Sequence, residues 1–210
     1  MTPSLPWRRR PKPPATPVRD LELLAVDLET TGLDPARHEI LSIGVVPVRG
    51  DTIELGGARQ YAVRPVRPGG VGDSATVHGI TDDAAAAAAP IAEVLPGVLA
   101  ELDGRVLLAH HAAIEVGFLA AAGRRGSLEV PELTVVDTLR LQRRVLQRAR
   151  PFGHHTEGEL SLASARRHLG LPRYRAHDAL TDALACAELY LAQVAALSGG
   201  ADLTLRDLLR

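Results

Sequence analysis

Asp27 and Glu29 stand two residues apart in the stretch Leu23 to Pro35, which reads L-L-A-V-D-L-E-T-T-G-L-D-P. In an extended strand that spacing puts both carboxylates on one face. Two like charges at the end of an apolar run are costly unless a cation neutralises them, and hard divalent ions held by carboxylate oxygens are the usual partners. A lone D-x-E is more often the solvated face of an edge strand, but Leu23, Leu24, Ala25 and Val26 are too apolar for an exposed strand. Glu115 and Asp182 supply two further carboxylates, and His177 stands five residues before Asp182 in the run H-D-A-L-T-D. An imidazole is a residue type able to move a proton, although a histidine taken alone is more often a surface or capping group.

The elements that must hold these groups follow from periodicity and turn residues. Leu23 to Val26 opens the first strand, which Thr30-Thr31-Gly32 ends. Ile40 to Val48 reads as a second strand with Pro47 at an edge or bulge, Gly50-Asp51 as a turn, and Ile53 to Val63 as a third strand weakened by Gly56-Gly57. Thr81 or Asp82 caps a helix that runs from Ala84 through Leu102, with Pro90 able to break it in two. Short strands at Val106 to Ala109 and Thr134 to Val136 alternate with helices from Glu115 to Ala122 and from Leu139 to Leu146. A polar, mobile loop is expected from Pro151 to Gly158, then a helix capped by Ser161 and ended at Gly170. His177-Asp178 opens the last long helix, whose apolar face runs from Ala179 to Val194. That order predicts an α/β fold with a mixed five-stranded sheet covered by helices.

Composition narrows the function classes. The chain has 210 residues, 46% of them hydrophobic, which suits one domain with a sizeable core; only 3% are aromatic, so Leu, Val and Ala must fill it. A net charge of -1 gives no global attraction to nucleic acid, so such binding has to come from local patches. Cys186 is the single cysteine, which excludes internal disulfides and a thiolate-rich metal site. No run of about 18 apolar residues and no secretory leader is evident, so neither a membrane partner nor export is expected, and the chain is placed in the cytoplasm. Residues 1–19 carry Arg8, Arg9, Arg10, Lys12 and Arg19 among prolines with no acidic residue. They are expected to form a disordered basic arm able to touch phosphate, with Trp7 free to pack on the domain or stack on a base.

Five segments carry a family resemblance: D-L-E-T-T-G-L at Asp27 to Leu33, V-H-G-I-T at Val77 to Thr81, A-H-H-A-A-I-E-V-G-F-L at Ala109 to Leu119, V-D-T-L at Val136 to Leu139, and H-D-A-L-T-D at His177 to Asp182. In this order the chain resembles the DEDDh group of 3'-5' exonucleases, which have an RNase H-like fold and include the proofreading epsilon subunit of DNA polymerase III, RNase T and oligoribonuclease. The resemblance implies an exonuclease domain over 20–197. It also implies two ions, Mg²⁺ or Mn²⁺, held by Asp27, Glu29, Glu115 and Asp182, with Asp27 bridging and His177 as general base. Thr30, Thr31 and Leu33 would hold the 3'-terminal nucleotide, Leu33 wedging against a base. Val77 and His78 would line the same pocket, with His78 equally able to cap a helix, and His110 and His111 of the second motif would be further substrate contacts. Asp137 is assigned to capping the helix that follows it.

The chain departs from the family at its second motif, where H-N-x-x-F-D is replaced by His110, His111, Ile114 and Glu115. Losing the aromatic weakens stacking on the terminal base, and Glu115 in place of aspartate bears on activity. The favoured function is a 3'-5' exonuclease on single-stranded or frayed DNA, releasing nucleoside 5'-monophosphates in a proofreading or repair role. The alternatives are an RNase T- or oligoribonuclease-like exoribonuclease acting on RNA 3' ends, and a non-catalytic polymerase-associated subunit that binds nucleic acid. Nine arginines from Arg140 to Arg175 could guide the incoming strand, although a solvated helical face explains much of that band. The tail 198–210 could dock a DNA polymerase or a sliding clamp, with packing on its own domain as a short helix the favoured reading.

Overall fold

The computed structural model describes residues 12–67, 69–151, 154 and 156–210. Strand β1 (Glu22–Thr30) is central: it pairs antiparallel with β2 (Ile40–Arg49) and parallel with β6 (Val106–Ala109), which pairs parallel with β7 (Val135–Asp137). Beyond β2 lies β4 (Arg59–Arg64), then the two-residue β5 (Ala89–Pro90), while β3 (Thr52–Ile53) pairs with β2 off this path. The five expected strands are present, with the two-residue β5 added. The third expected strand is split, because Leu55–Gly57 forms a 3-10 turn between β3 and β4. The break at Pro90 separates α2 (Asp82–Ala86), capped by Thr81, from α3 (Ile91–Leu102).

Helices cover both faces, so β1 is apolar on both. Leu23 and Ala25 face α5 (Thr138–Ala149) and α7 (Ala179–Ser198), whereas Leu24, Val26 and Leu28 face α3 and α4 (Ala113–Arg125). Strand alternation therefore carries Asp27 and Glu29 onto the face of Leu23 and Ala25, toward α7. By length and composition α7 could cross a membrane; here it packs along the sheet, with Ala179, Ala183, Ala187 and Tyr190 fully buried.

Gly44 sets how closely α7 approaches. It pairs with Asp27 across β1 and β2, and a Cβ there would strike the carbonyl group of Ala179 and the nitrogen of Leu180. A glycine inside an otherwise apolar strand marks such close approach. Gly44→Ala is expected to cost about 1–3 kcal/mol through overpacking against backbone that cannot yield. Gly97→Ala in α3, with nothing within 4 Å of the added carbon, should be neutral or stabilising by a fraction of a kcal/mol. Thermal melts of both variants check this; equal effects would remove the close-approach argument.

Residues 12–19, expected to be part of the arm, are instead tied to the tail by backbone hydrogen bonds. Val18 is buried, its N–H donates to the Leu203 carbonyl, and the Thr16 and Pro14 carbonyls accept from Leu205 and Arg206. The physical reason is the tail, which forms α8 (Leu205–Leu209), buries Leu205 and Leu208, and gives that segment a surface to pair with. Trp7, Arg8, Arg9 and Arg10 lie outside the described residues. The Pro151 to Gly158 loop, expected to be mobile, is described in part, and Thr156 and Glu159 close a capping box on the 3-10 turn Glu157–Leu160.

The arginine band is likewise not a continuous track. Arg144 and Arg148 donate to the carbonyls of Asp207 and Leu197, Arg150 pairs with Glu159, and Arg166 is buried. Those four tie helices and tail together, which leaves fewer cations facing solvent than sequence alone implies.

Candidate active site

Three elements converge at the end of β1. Asp27 and Glu29 come from β1, Glu115 from the first turn of α4, and Asp182 from the first turn of α7. Asp178 caps α7, accepting from the Thr181 N–H and hydroxyl, while Gln60 on β4 donates to Asp178 and to Ser42 on β2. The start of α7 is thereby pinned to the sheet beside Gly44. His177, at φ 67, is a non-glycine residue in left-handed backbone, and its N–H donates to Asp182 Oδ2 at 2.7 Å. A nitrogen of the His177 ring and carboxylate oxygens of Glu29 and Asp182 all lie within 4.8 Å of one another.

The carboxylates carry the electrostatic signature of a cation site. Burial first, then Glu115, Asp182, Glu29 and Asp178, holds Asp27 well above the ordinary carboxylate range. Glu29 is pushed up to about 7 by burial and then by Asp182 and Asp178. Burial and Asp137 push Glu115 up to about 8, against a hydrogen bond from its own backbone. Asp182 is also raised by burial, opposed by the His177 N–H. Glu115 Oε2 is buried with no hydrogen-bond partner. An all-oxygen donor set with an orphaned carboxylate oxygen fits a hard divalent ion better than a soft one.

The sign of the pH dependence follows. Both glutamates ionise near 4.5 when unfolded but near 7 and 8 when folded, so their protonated forms favour the fold and stability falls as pH rises from about 4.5 to 8. A divalent ion binds the ionised form and should restore what is lost. Melting temperature in EDTA should therefore fall across that window while the gain from Mg²⁺ or Mn²⁺ widens. A gain independent of pH would mean these groups do not hold the ion.

The other sequence candidates divide by geometry. Leu33 is 81% exposed and Val77 55% exposed, free to touch a ligand. Thr30 and Thr31 shape the turn instead: the Thr30 hydroxyl donates to the Gly32 carbonyl, and Thr31 Oγ1 accepts from the Glu39 N–H. His78 Nδ1 accepts from the Ile80 N–H and Nε2 meets Ser74, so the ring closes the end of α1 (Ala75–His78). Burial and then nearby His177 lower its pKa. His110 is committed as well, with Nε2 bonded to the Leu160 carbonyl and Nδ1 to Thr138, leaving no ring nitrogen for substrate. His111, at φ 70, is exposed and donates its N–H to Asp137, which also caps α5 as expected. A cleft of about 610 Å³ lined by His111, Ile114, Arg140 and Arg143 opens there. Sequence reading missed Gly44 and Gln60, and placed Asp178 only at the opening of the last helix; the mid-strand glycine was the one further signal available.

Residues 24–190 match the family model described as Exonuclease. The chain is 33% identical over 175 residues to the PolC-type DNA polymerase III of Caldanaerobacter subterraneus subsp. tengcongensis, a match covering 81% of this chain and 11% of that protein. It is 34% identical over 186 residues to a DNA polymerase III subunit epsilon-like protein of Rhodobacter capsulatus, covering 87% of this chain and 25% of that one. The chain thus spans a small part of the length of these curated relatives. The nuclease domain of 3'hExo, a DEDDh family member solved bound to rAMP, shares the fold with a TM-score of 0.69 at 22% identity, covering 83% of this chain and 92% of that chain. The family match runs through all five acidic and histidine positions gathered at the end of β1, and the chain belongs to the exonuclease family.

Proposed function

We propose that this chain removes nucleotides one at a time from the 3' end of single-stranded or frayed DNA, releasing nucleoside 5'-monophosphates. The convergence of Glu29, His177 and Asp182 within 4.8 Å, beside Asp27 on the same strand and the buried Glu115, carries the reading. Asp27, Glu29, Glu115 and Asp182 would hold two Mg²⁺ or Mn²⁺ ions, which when bound stabilise charge on the phosphoryl and leaving oxygens. His177 accepts the proton of the attacking water, from a ring that stands in solvent at the mouth while its backbone is fixed by Asp182. Leu33 and Val77 offer apolar surface to the terminal base, and the turn built by Thr30 and Thr31 offers backbone groups to the sugar and phosphate. Similarity to DNA polymerase III proteins supports DNA and a proofreading or repair role, alone or beside a polymerase.

The test is to incubate the protein with Mg²⁺ or Mn²⁺ and 5'-labelled single-stranded DNA or RNA of equal length. A ladder shortening from the 3' end of DNA supports the reading. Faster loss of RNA would move the substrate to RNA through recognition of the 2'-hydroxyl, and no ladder on either would favour a binding subunit.

A further inference from the structure

Leu171 to Ala176, which leads into His177, has no regular secondary structure, yet it carries the residue argued above to move the proton. Among the described residues, its last backbone-to-backbone hydrogen bond before His177 is from the Leu171 N–H to the Arg166 carbonyl. After that the hold passes to side chains. Arg166 on α6 (Leu162–His168) is only 3% exposed. Its Nη1 donates to the Ala185 carbonyl at 2.7 Å, and its Nη2 donates to the Pro172 carbonyl at 3.0 Å and to Glu188 Oε2 at 2.7 Å. The Tyr174 ring lies over the guanidinium, 4.6 Å from centroid to carbon, and the Tyr174 hydroxyl donates to Glu188 Oε1 at 2.8 Å.

We propose that Arg166, Glu188 and Tyr174 are positioning residues that clamp this loop and set the aim of the His177 ring. The proposal rests on His177 being the general base. A buried arginine paired with a glutamate would by itself close α6 onto α7, and the bond to Ala185 does that. The bond to Pro172 and the stacking with Tyr174 do something else, since both grip the loop. Glu188 sits on α7 six residues beyond Asp182, so one helix carries both the group that fixes the His177 N–H and the anchor of the loop before it. His177 holds left-handed backbone, a conformation that persists only where the surroundings impose it. With Tyr174 turned onto the clamp, Arg173 and Arg175 stand exposed on either side.

Two arms test this on the full chain, and Tyr174, 40% exposed, is the residue to change because removing the buried Arg166 would also unfasten α6 from α7 at Ala185. In the first arm, trypsin reads loop release at the Arg175–Ala176 bond by mass spectrometry, independently of activity. Tyr174→Ala should raise cleavage there about tenfold, and Tyr174→Phe, which keeps the ring on the guanidinium, should stay near the parent. Unchanged protection in Tyr174→Ala overturns the clamp. In the second arm, single-turnover cleavage of a 5'-labelled single-stranded oligonucleotide is measured with Mn²⁺ in a double-mutant cycle. Tyr174→Ala should lower the chemical rate about ten- to a hundredfold with KM within about twofold, since misaiming a catalytic group costs that much. On the His177→Ala background the same change should cost less than about twofold. Equal losses on both backgrounds, or a loss confined to KM, overturns the claim that the clamp acts through His177. If His177→Ala matches the parent, the general-base reading fails with it, while the trypsin arm still decides whether the clamp exists.

Discussion

Asp27→Asn is expected to slow hydrolysis by on the order of a thousandfold or more, the scale of losing one preorganised electrostatic contact to a reacting phosphoryl group, while raising the melting temperature in EDTA. The two effects share one cause. Asp27 lies at the centre of the acidic set, its carboxyl held well above the ordinary range by burial and by Glu115, Asp182 and Glu29. At neutral pH, without a cation, keeping that carboxyl in the folded chain costs free energy whether it is ionised or takes up a proton. An amide of the same shape removes the charge and leaves the packing of β1 against β2 untouched, opposite Gly44. For a chain of this size each kcal/mol recovered should appear as about 2–4 °C. The stabilisation given by Mg²⁺ or Mn²⁺ should shrink together with the rate. Rates and melts measured side by side, with EDTA and with metal, check it; a large fall in melting temperature in EDTA would identify Asp27 as a structural group whose loss damages the fold.

Much of this architecture is written locally. The apolar run Leu23 to Val26 announces a strand buried on both faces, and D-x-E within it places two carboxylates together without any knowledge of the rest. Asp137 and Asp178 sit where helix caps are expected and cap those helices. What could not be read is what depends on partners distant in the chain. Gly44 looks like a weak point in β2 until Ala179, far along the sequence, is seen to occupy the space a side chain would need. The arginines from Arg140 to Arg175 look like one basic band because sequence does not reveal that Arg144, Arg148 and Arg166 each spend their donors on carbonyls of other helices or the tail. His110 looks like a substrate contact for the same reason, its partners Thr138 and Leu160 lying 28 and 50 residues away. Residues 12–19 have a composition that cannot build a core alone, and the tail returns to meet them.

Glu115 is where the chain departs from its family's aspartate, and the structure places it inward, 4% exposed, with Oε2 lacking any hydrogen-bond partner. A first-turn glutamate favoured only by the helix dipole would stand in solvent, where that interaction is worth a fraction of a kcal/mol. Burying a carboxylate with an unsatisfied oxygen is costly, and in a functional site a bound cation is what satisfies it. Glu115 is also the strongest acidic neighbour acting on Asp27, so the two belong to one electrostatic unit. The variants should therefore rank by charge before length. Glu115→Gln keeps shape and loses charge; it should cost on the order of a hundredfold or more in rate, raise the metal concentration needed for half-maximal activity, and stabilise the protein in EDTA. Glu115→Asp keeps the charge and withdraws it by about 1.5 Å, one C–C bond. Since an aspartate serves in the family, a shift of rotamer or a bridging water should absorb the difference and leave substantial activity. Glu115→Ala should resemble Gln in rate but lose stability, because it opens a cavity under α4 beside Asp27. If Gln, Asp and Ala all match the parent across a metal titration, Glu115 lies outside the catalytic set and its raised pKa reflects burial alone.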